Sequence, residues 1–374
     1  MEIKIDRNEL LKAVSRVQSI IERKSNMPVL STILFSTQTE EGNVRLSATD
    51  LELGFQEAVD AEVVQEGSIT ISGRKLFEIL KESNAELFHI KVKDNSRVSI
   101  TDGVARFELA CISADEFPTF MEPEAVDTIA VEGETLCEMI SKTIYAVTLE
   151  EAGFKLSGVY TEKRTDDQGT HYLRMVATDG HRLSLIDKSF PGLETLDLGS
   201  GVMIPKKGMS ELNKMGSEGG VVALGFKDKR CIARREKTLL IMRLLETKFP
   251  DYEAVIPAGK QSSFLINRIA LLEGMRKMLI LSNERYRAVK VTLENNQLDL
   301  MSTNPELGEA EENMAVEYNG IRIEAGFNPK YFIEVLQSMA SESVSLFFSD
   351  SSKPCVIKGE LDTGFIGLIM PMRV

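Results

Sequence analysis

The chain has 374 residues, 43% of them hydrophobic, and a formal net charge of −13. No apolar run is long enough to span a bilayer, and the four scattered cysteines form no C-x-x-C pair, which argues against a membrane-spanning protein and a cysteine metal site. We therefore expect a reduced, cytoplasmic protein without a bound metal. The negative charge argues against a surface that attracts nucleic acid everywhere, but it is compatible with a local basic stripe.

The first third of the chain predicts strands around two amphipathic helices. After a strand at residues 1–5, Asp6 offers an N-cap for a helix with apolar residues at helical spacing and basic residues on its other side. Strand-like stretches follow, and residues 48–50 lie within one of them. A second helix, again apolar on one side and basic on the other, is predicted at residues 74–81, and the segment closes at residues 117–118.

The same order of strands and helices recurs twice more. Helices are predicted at residues 132–148 and after Met203 in the second copy, and at residues 267–279 and 329–339 in the third. Each copy contains two landmarks, an Asp or Asn followed by a Pro. The pairs are Asp50 and Pro118 in the first copy, Asp179 and Pro250 in the second, and Asn304 and Pro371 in the third. They are separated by 68, 71 and 67 residues, and periods this long indicate repeated domains rather than a solenoid.

We therefore predict three domains of the α+β class at residues 1–126, 127–253 and 254–374. Each contains about eight strands and two amphipathic helices, which indicates two sheets carrying a pair of helices on one side. The three parts carry net charges of −8, −2 and −3, so any cationic surface must be local.

Residues 177–183 predict a strand, a tight turn and a second strand, because the glycine that follows Asp179 accepts a positive φ. His181, one of three histidines, lies in this turn, so a hydrolase that uses Asp179 and His181 is an alternative hypothesis. The sequence contains no nucleotide-binding or hydrolase motif, and the equivalent positions, 51–52 and 305–306, lack both the histidine and the same turn. We therefore predict that His181 shapes a surface and that the chain is not an enzyme.

Basic residues recur on the predicted helices of all three copies, which favours a functional surface over simple solvation. If all six helices face one way, these residues form a cationic lining inside an acidic shell, which contacts phosphates without reading bases. The residues that we expect to face DNA on this basis are Lys12, Arg16, Arg23, Arg74, Lys142, Lys206, Lys207, Lys214, Arg268, Arg276 and Lys277.

The chain resembles the bacterial DNA polymerase III β subunit family, the replicative sliding clamps, along its whole length. The resemblance rests on the threefold repeat and on five stretches of sequence, at residues 177–183, 249–252, 281–284, 326–328 and 370–374. The resemblance implies the DNA-clamp fold, with sheets outside and helices inside, and a head-to-tail homodimer that forms a six-domain ring around duplex DNA. It also implies a hydrophobic pocket, between the second and third domains, for short linear motifs of the replicative polymerase, the clamp loader and repair proteins. We expect no cofactor, since the sequence contains no nucleotide-binding motif.

The resemblance places these residues in the peptide pocket: Leu156, Thr178, Gly180, His181, Arg182, Leu183, Pro250, Val255, Asn328, Tyr331, Met370, Pro371, Met372 and Arg373. The apolar members bury a partner's anchors at about 25 cal/mol per Å2, and methionine adapts to varied shapes. We expect Arg182 and Arg373 to flank the pocket and to favour acidic or carbonyl-bearing peptides. Ala254 and Val374 depart from the family pattern, which often has Arg and Leu there.

The resemblance places a dimer edge between the first and third domains, with Lys75, Ile79 and Arg106 on one side and Ile280, Leu281, Glu306, Glu309, Glu311 and Glu312 on the other. Without the resemblance, the acidic run at 309–312 is as consistent with a solvated loop as with a dimer contact.

Two further positions correspond to residues that contact DNA in the family. Lys24 corresponds to a loop residue that touches DNA, and residues 154–155 stand where the family has an aromatic pair. A peptide-binding scaffold without a DNA role is the alternative, since it would keep the pocket without needing basic helices.

Overall fold

The computed structural model describes residues 1–21, 26–38, 42–94, 97–118, 126–147, 157–257, 262–282, 288–348 and 350–372. The helices in these residues are α1 (Arg7–Val17), α2 (Gly73–Glu82), α3 (Gly133–Ser141), α4 (Lys206–Ser217), α5 (Arg268–Ile280) and α6 (Pro329–Ser338). The chain divides into two compact units, Met1–Ala130 with Val221–Leu244, and Val131–Gly220 with Leu245–Val374.

The strands of the described residues run along the whole chain. They are β1 (Glu2–Asp6), β2 (Thr32–Gln38), β3 (Asn43–Thr49), β4 (Leu53–Gln65), β5 (Gly67–Ser72), β6 (Leu87–Asp94), β7 (Arg97–Thr101), β8 (Arg106–Ala110), β9 (Thr128–Glu132), β10 (Gly158–Thr165), β11 (His171–Thr178), β12 (Arg182–Lys188), β13 (Val202–Pro205), β14 (Val221–Lys227), β15 (Arg230–Arg235), β16 (Thr238–Arg243), β17 (Ser262–Asn267), β18 (Val289–Glu294), β19 (Gln297–Asn304), β20 (Gly308–Ala315), β21 (Ile323–Phe327), β22 (Ser343–Phe348), β23 (Cys355–Gly359) and β24 (Phe365–Ile369). Eight strands and two helices thus recur three times in the described residues.

The first helix begins where the sequence supplies a cap. The carboxylate of Asp6 accepts hydrogen bonds from the N–H groups of Asn8 at 2.8 Å and Glu9 at 3.0 Å. These bonds satisfy donors that have no partner inside the helix, so the predicted N-cap of α1 is confirmed.

The third helix is shorter than its apolar spacing predicts. It ends at Ser141 rather than at residue 148, and a short 3-10 turn, Ile144–Ala146, follows. The hydroxyl of Thr143 donates to the carbonyl of Met139 at 2.8 Å, so a side chain takes the place of the next main-chain donor.

The first unit contains strands in the order β8-β7-β6-β1-β4-β16-β15-β14, with β3 paired to β4 and β2 lying between β3 and β5. The antiparallel pairing of β4 with β16 places Leu53 opposite Met242. This sheet therefore combines strands from the first and second copies of the repeat.

The second unit contains an eight-stranded sheet in the order β13-β10-β11-β12-β24-β23-β22-β17 and a four-stranded sheet in the order β20-β19-β18-β21. Strands β12 and β24 pair antiparallel, with Arg182 opposite Ile369. This pairing joins the second and third copies in one sheet. It also brings the turn between β11 and β12 next to the residues that follow β24.

Candidate peptide pocket and basic helix faces

The turn between β11 and β12 is fixed by its own side chains. Gly180 has a φ of +83°, and its N–H donates to Oγ1 of Thr178 at 3.1 Å. Oδ1 of Asp179 accepts the N–H groups of His181 at 3.0 Å and Arg182 at 3.1 Å. The predicted strand, turn and strand are therefore confirmed.

The same turn recurs at residues 49–53, which corrects the expectation that the first copy lacks it. Asp50 accepts two backbone N–H groups, at 3.0 and 2.6 Å, as Asp179 does. Leu51 stands where Gly180 stands in the second copy, with a φ of 76°. A side chain in this left-handed conformation costs about 1–2 kcal/mol, which the surrounding hydrogen bonds offset.

One wall of the candidate pocket is held by backbone and ring contacts. The N–H of Met370 donates to the carbonyl of His181, and the N–H of Met372 donates to that of Gly326, both at 2.8 Å. The imidazole of His181 stacks on the ring of Tyr331, with centroids 6.5 Å apart and planes 14° apart. The turn, the start of α6 and the segment after β24 are thus brought together.

The position of His181 argues against hydrolysis by an Asp–His pair. The oxygens of Asp179 accept backbone N–H groups and the side chain of Arg182, while the imidazole stacks on Tyr331. In the described residues, no group of three or more His, Cys, Asp or Glu side chains is arranged to hold a metal ion. None of the described helices is long and apolar enough to cross a membrane.

Arg182 is buried, which corrects the expectation that it flanks the pocket and favours acidic or carbonyl-bearing peptides. Its side chain is only 8% exposed, and each guanidinium nitrogen already donates to a protein oxygen. The acceptors are Asp179 at 3.0 Å, the Tyr145 carbonyl at 2.6 Å, and Glu334. The guanidinium also lies 4.6 Å from the centroid of the Tyr331 ring. Tyr145 and Glu334 could not be predicted from the sequence as partners of Arg182, because both lie far from it along the chain.

An apolar cluster lies beneath this wall. Leu183 is buried in it together with Val176, Leu185, Met203, Phe249, Tyr252, Val356 and Leu368, and Met370 packs against the cluster. The ring of Phe249 stacks on that of Tyr160, with centroids 4.8 Å apart. The segment with Phe249 also carries the predicted pocket residues Pro250 and Val255, both exposed.

The remaining pocket residues lie at the edges of this arrangement. Asn328 caps α6 by accepting the N–H of Lys330 at 3.0 Å. Pro371 is half-buried between the two methionines that bond to the pocket wall. Leu156 and Arg373 lie outside the described residues, as do Val374 and residues 154–155.

Six predicted DNA-facing residues are exposed on helices: Lys12, Arg74, Lys207, Lys214, Arg276 and Lys277. Arg16 is half-buried and pairs with Glu57 at 2.5 Å. Lys206 is also half-buried, and burial together with the nearby charge of Arg182 lowers its pKa. Arg23 and Lys24 lie outside the described residues.

The structure corrects the prediction that Lys142 and Arg268 face DNA, because both side chains are bonded inside the protein. Lys142 is buried, with Nζ 2.6 Å from Asp362 and 2.7 Å from Glu138. A buried ammonium needs a carboxylate partner, and the pair replaces any contact with solvent or phosphate. Arg268 is half-buried and donates to the carbonyls of Leu336 at 2.9 Å and Ser341 at 2.7 Å, so it caps the end of α6.

The predicted dimer edge falls on exposed strands and a helix end. The acidic run at 309–312 lies in β20, which ends the four-stranded sheet, so the solvated-loop interpretation is wrong. Glu312 pairs with Lys277 at 2.7 Å, and Ile280 is 75% exposed at the end of α5. The other predicted residues are Lys75, Arg106, Glu306, Glu309 and Glu311, which are exposed, and Ile79 and Leu281, which are half-buried.

Sequence models of the DNA polymerase III beta subunit match three consecutive stretches of the chain. The N-terminal domain matches residues 1–121, the central domain 130–251 and the C-terminal domain 253–373. The beta sliding clamp of Pseudomonas putida is 35% identical over 379 residues, and that of Caulobacter vibrioides is 31% identical over 377 residues. Each alignment covers 100% of this chain and 100% of the relative.

Solved structures with the same fold include a sliding clamp from Bartonella birtlesii bound to griselimycin, with a TM-score of 0.94 and 30% identity. The DNA polymerase III subunit beta from Pseudomonas aeruginosa has a TM-score of 0.92 and 32% identity, and both matches cover 100% of both chains. The repeated sheets and helix pairs are therefore those of a DNA clamp. The chain belongs to the DNA polymerase III beta subunit family, the beta sliding clamps, which are non-catalytic processivity factors. The predicted family, the clamp fold of three repeated domains and the processivity function are confirmed.

Proposed function

We propose that two copies of this chain pair head to tail around duplex DNA, and that the ring tethers the replicative polymerase, the clamp loader and repair proteins through the peptide pocket. The tethering role is supported by the wall of His181, Tyr331 and Met370 above an apolar cluster. A short extended peptide buries little area, so such a site binds apolar anchors with modest affinity and lets partners exchange.

Contact with DNA is supported by the exposed cations on the helices of all three copies, Lys12, Arg74, Lys207, Lys214, Arg276 and Lys277. Such side chains neutralise phosphates regardless of base sequence, so the affinity falls as salt rises. A closed ring retains DNA by topology, and weak contacts then suffice. This role belongs in the cytoplasm, with the chromosome.

The dimer edge is supported by two exposed strands, β8 and β20. An edge strand has free N–H and C=O groups, which a strand of another copy can pair with. Glu309 and Glu311 make β20 acidic, and Arg106 and Lys75 supply exposed basic groups for the opposite side. A contact between different surfaces of two identical chains closes a ring when the rotation permits.

Domain boundaries near residues 126 and 253 are supported by the recurrence of eight strands and two helices. Both positions lie between strands rather than within one, since β9 begins at Thr128 and β17 begins at Ser262.

The ring is tested by loading the protein onto nicked circular DNA with a clamp loader and ATP. The complex is washed in high salt and the DNA is then linearised. A ring survives the wash and leaves the DNA after cutting. Loss during the wash would refute topological linkage and favour a peptide-binding scaffold, and retention after cutting would indicate ordinary DNA binding.

A further inference from the structure

We propose that Glu334 is a positioning residue of the peptide pocket, and that it acts by holding Arg182 beneath the ring of Tyr331. The inference rests on the proposed role of this pocket in binding partner peptides. Glu334 lies on α6, one turn after Tyr331, so the two side chains share a helix face.

The contacts form a chain from Glu334 to the pocket wall. Glu334 accepts a hydrogen bond from the guanidinium of Arg182. The guanidinium lies 4.6 Å from the ring centroid of Tyr331 and 5.3 Å from that of Tyr145. The ring of Tyr331 also stacks on the imidazole of His181. The carboxylate thus fixes the cation that supports the aromatic wall.

The two carboxylates that bind Arg182 have different effects. Asp179 belongs to the same turn, three residues earlier, so its bond ties Arg182 to its own loop. Glu334 belongs to α6, and its bond ties the loop to the helix that carries Tyr331. Removing Glu334 therefore removes the ion pair between the turn and α6, while the hydrogen bonds within the turn remain.

A second cation strengthens this dependence. Burial lowers the pKa of Lys206, and the positive charge of Arg182 lowers it further. The negative charge of Glu334 acts in the opposite direction and raises this pKa. Without Glu334, the two cations repel each other with less compensation. Arg182 has few other positions, because its side chain is 8% exposed. We expect the guanidinium of Arg182 to shift within the protein, so that its contact with the ring of Tyr331 weakens.

The test compares Glu334→Gln with Gln337→Ala, an exposed position one turn further along α6. His181 is one of three histidines, so its imidazole Cε1–H signal in an NMR spectrum can be assigned with a His181→Gln variant. Peptide affinity is measured by fluorescence anisotropy with a synthetic polymerase-derived peptide. Glu334→Asp, which restores the charge, serves as the rescue variant.

In Glu334→Gln, we expect the chemical shift of the His181 Cε1–H signal to change in the free protein, because the ring of Tyr331 is no longer held at a fixed distance from the His181 imidazole. The affinity for the peptide should fall about tenfold, as when a residue that orients a ligand-binding group is removed. Glu334→Asp should recover part of both effects, and Gln337→Ala should leave both at the wild-type value.

An unchanged His181 signal in Glu334→Gln would overturn the inference, whatever happens to affinity. A shifted signal with wild-type affinity would also overturn it, because positioning would then not matter for binding. A wild-type protein that binds no polymerase-derived peptide would instead refute the proposed function of the pocket, while the His181 signal would still decide whether Glu334 orders the wall.

Discussion

Replacing Asp362 with Asn tests the buried ion pair between Asp362 and Lys142. Nζ of Lys142 lies 2.6 Å from Oδ1 of Asp362, and the two side chains are 3% and 0% exposed. Asp362 also accepts the N–H groups of Ala340 at 2.9 Å and Ser341 at 3.0 Å, so Asn keeps the shape but loses an anionic acceptor. Breaking a buried pair costs about 3–5 kcal/mol. Because Glu138 still pairs with Lys142 at 2.7 Å, we expect the lower end, about 3 kcal/mol.

The pH dependence of stability gives a second measurement of the same pair. Burial alone raises the pKa of Asp362, but hydrogen bonds from Lys142 and Ser341 outweigh burial and hold the pKa below its ordinary value of 3.8. A carboxyl with a lowered pKa contributes its full stabilisation above the unfolded value and loses it as the pH falls through the folded value. The wild type should therefore lose this contribution below pH 3.8, and Asp362→Asn should lack this component of acid sensitivity.

The free energy of unfolding is measured by urea titration followed by circular dichroism, and hydrogen exchange in β12 and β24 localises the loss. Lys207→Met removes an exposed lysine and is the matched control, with an expected change within about 0.5 kcal/mol. A loss below about 1 kcal/mol in Asp362→Asn, far under the cost of breaking a buried pair, would refute the reasoning. Equal acid sensitivity in wild type and variant would refute it as well.

Gly180→Ala and Gly103→Ala should each lower stability by about 1 kcal/mol, because these residues have φ values of +83° and +91°. Only Gly180→Ala should also weaken binding of a polymerase-derived peptide in an anisotropy assay, and an equal loss in both would argue against the pocket. Deleting residues 370–374 should abolish peptide binding while sedimentation still finds a dimer; unchanged affinity would exclude this segment from the pocket. Lys207→Gln should reduce the slope of log affinity against log salt for a short duplex by about one, whereas Lys142→Gln should leave it unchanged, and the opposite result would contradict the buried position of Lys142.

The repeat could be predicted from the sequence because its landmarks depend on local chemistry. Asp50, Asp179 and Asn304 each accept N–H groups two and three residues further along the chain. A short polar side chain is sufficient for such a turn, so residue type and spacing identify it. The presence of the helices was predictable for the same reason, since apolar spacing is local, but α3 ends at Ser141, earlier than its spacing predicts.

Lys142 and Arg182 could not be placed correctly because their partners are remote in sequence. Asp362 and Glu334 reach them through the pairing of the second and third copies, which no local pattern reveals. The spacing does contain one signal of burial, because Lys142 follows Met139 by three residues and therefore lies close to the apolar face of α3.

The acidic run at 309–312 is a case in which alternation could have decided between a strand and a loop. Along β20, residues 309, 311 and 313 are exposed, whereas 310, 312 and 314 are half-buried. A period of two is typical of a strand with one covered face. Counting charges hides this pattern, because glutamates occur on both faces and the half-buried Glu312 pairs with Lys277 of α5.

The two sheet junctions have the same backbone pairing but differ in the side chains that would meet the proposed peptide. Next to β12, the N–H of Met370 donates to the carbonyl of His181 at 2.8 Å; next to β4, the N–H of Arg243 donates to that of Glu52 at 2.9 Å. The backbone arrangement is therefore the same, and the side chains differ. A histidine and a methionine flank the first junction, whereas Glu52 and Arg243 pair at 3.6 Å at the second, where Leu51 is 54% exposed. A charged pair costs desolvation when a peptide covers it, while an apolar wall gains from being covered. The side chains at equivalent positions therefore favour the β12–β24 junction over the β4–β16 junction as the proposed peptide pocket.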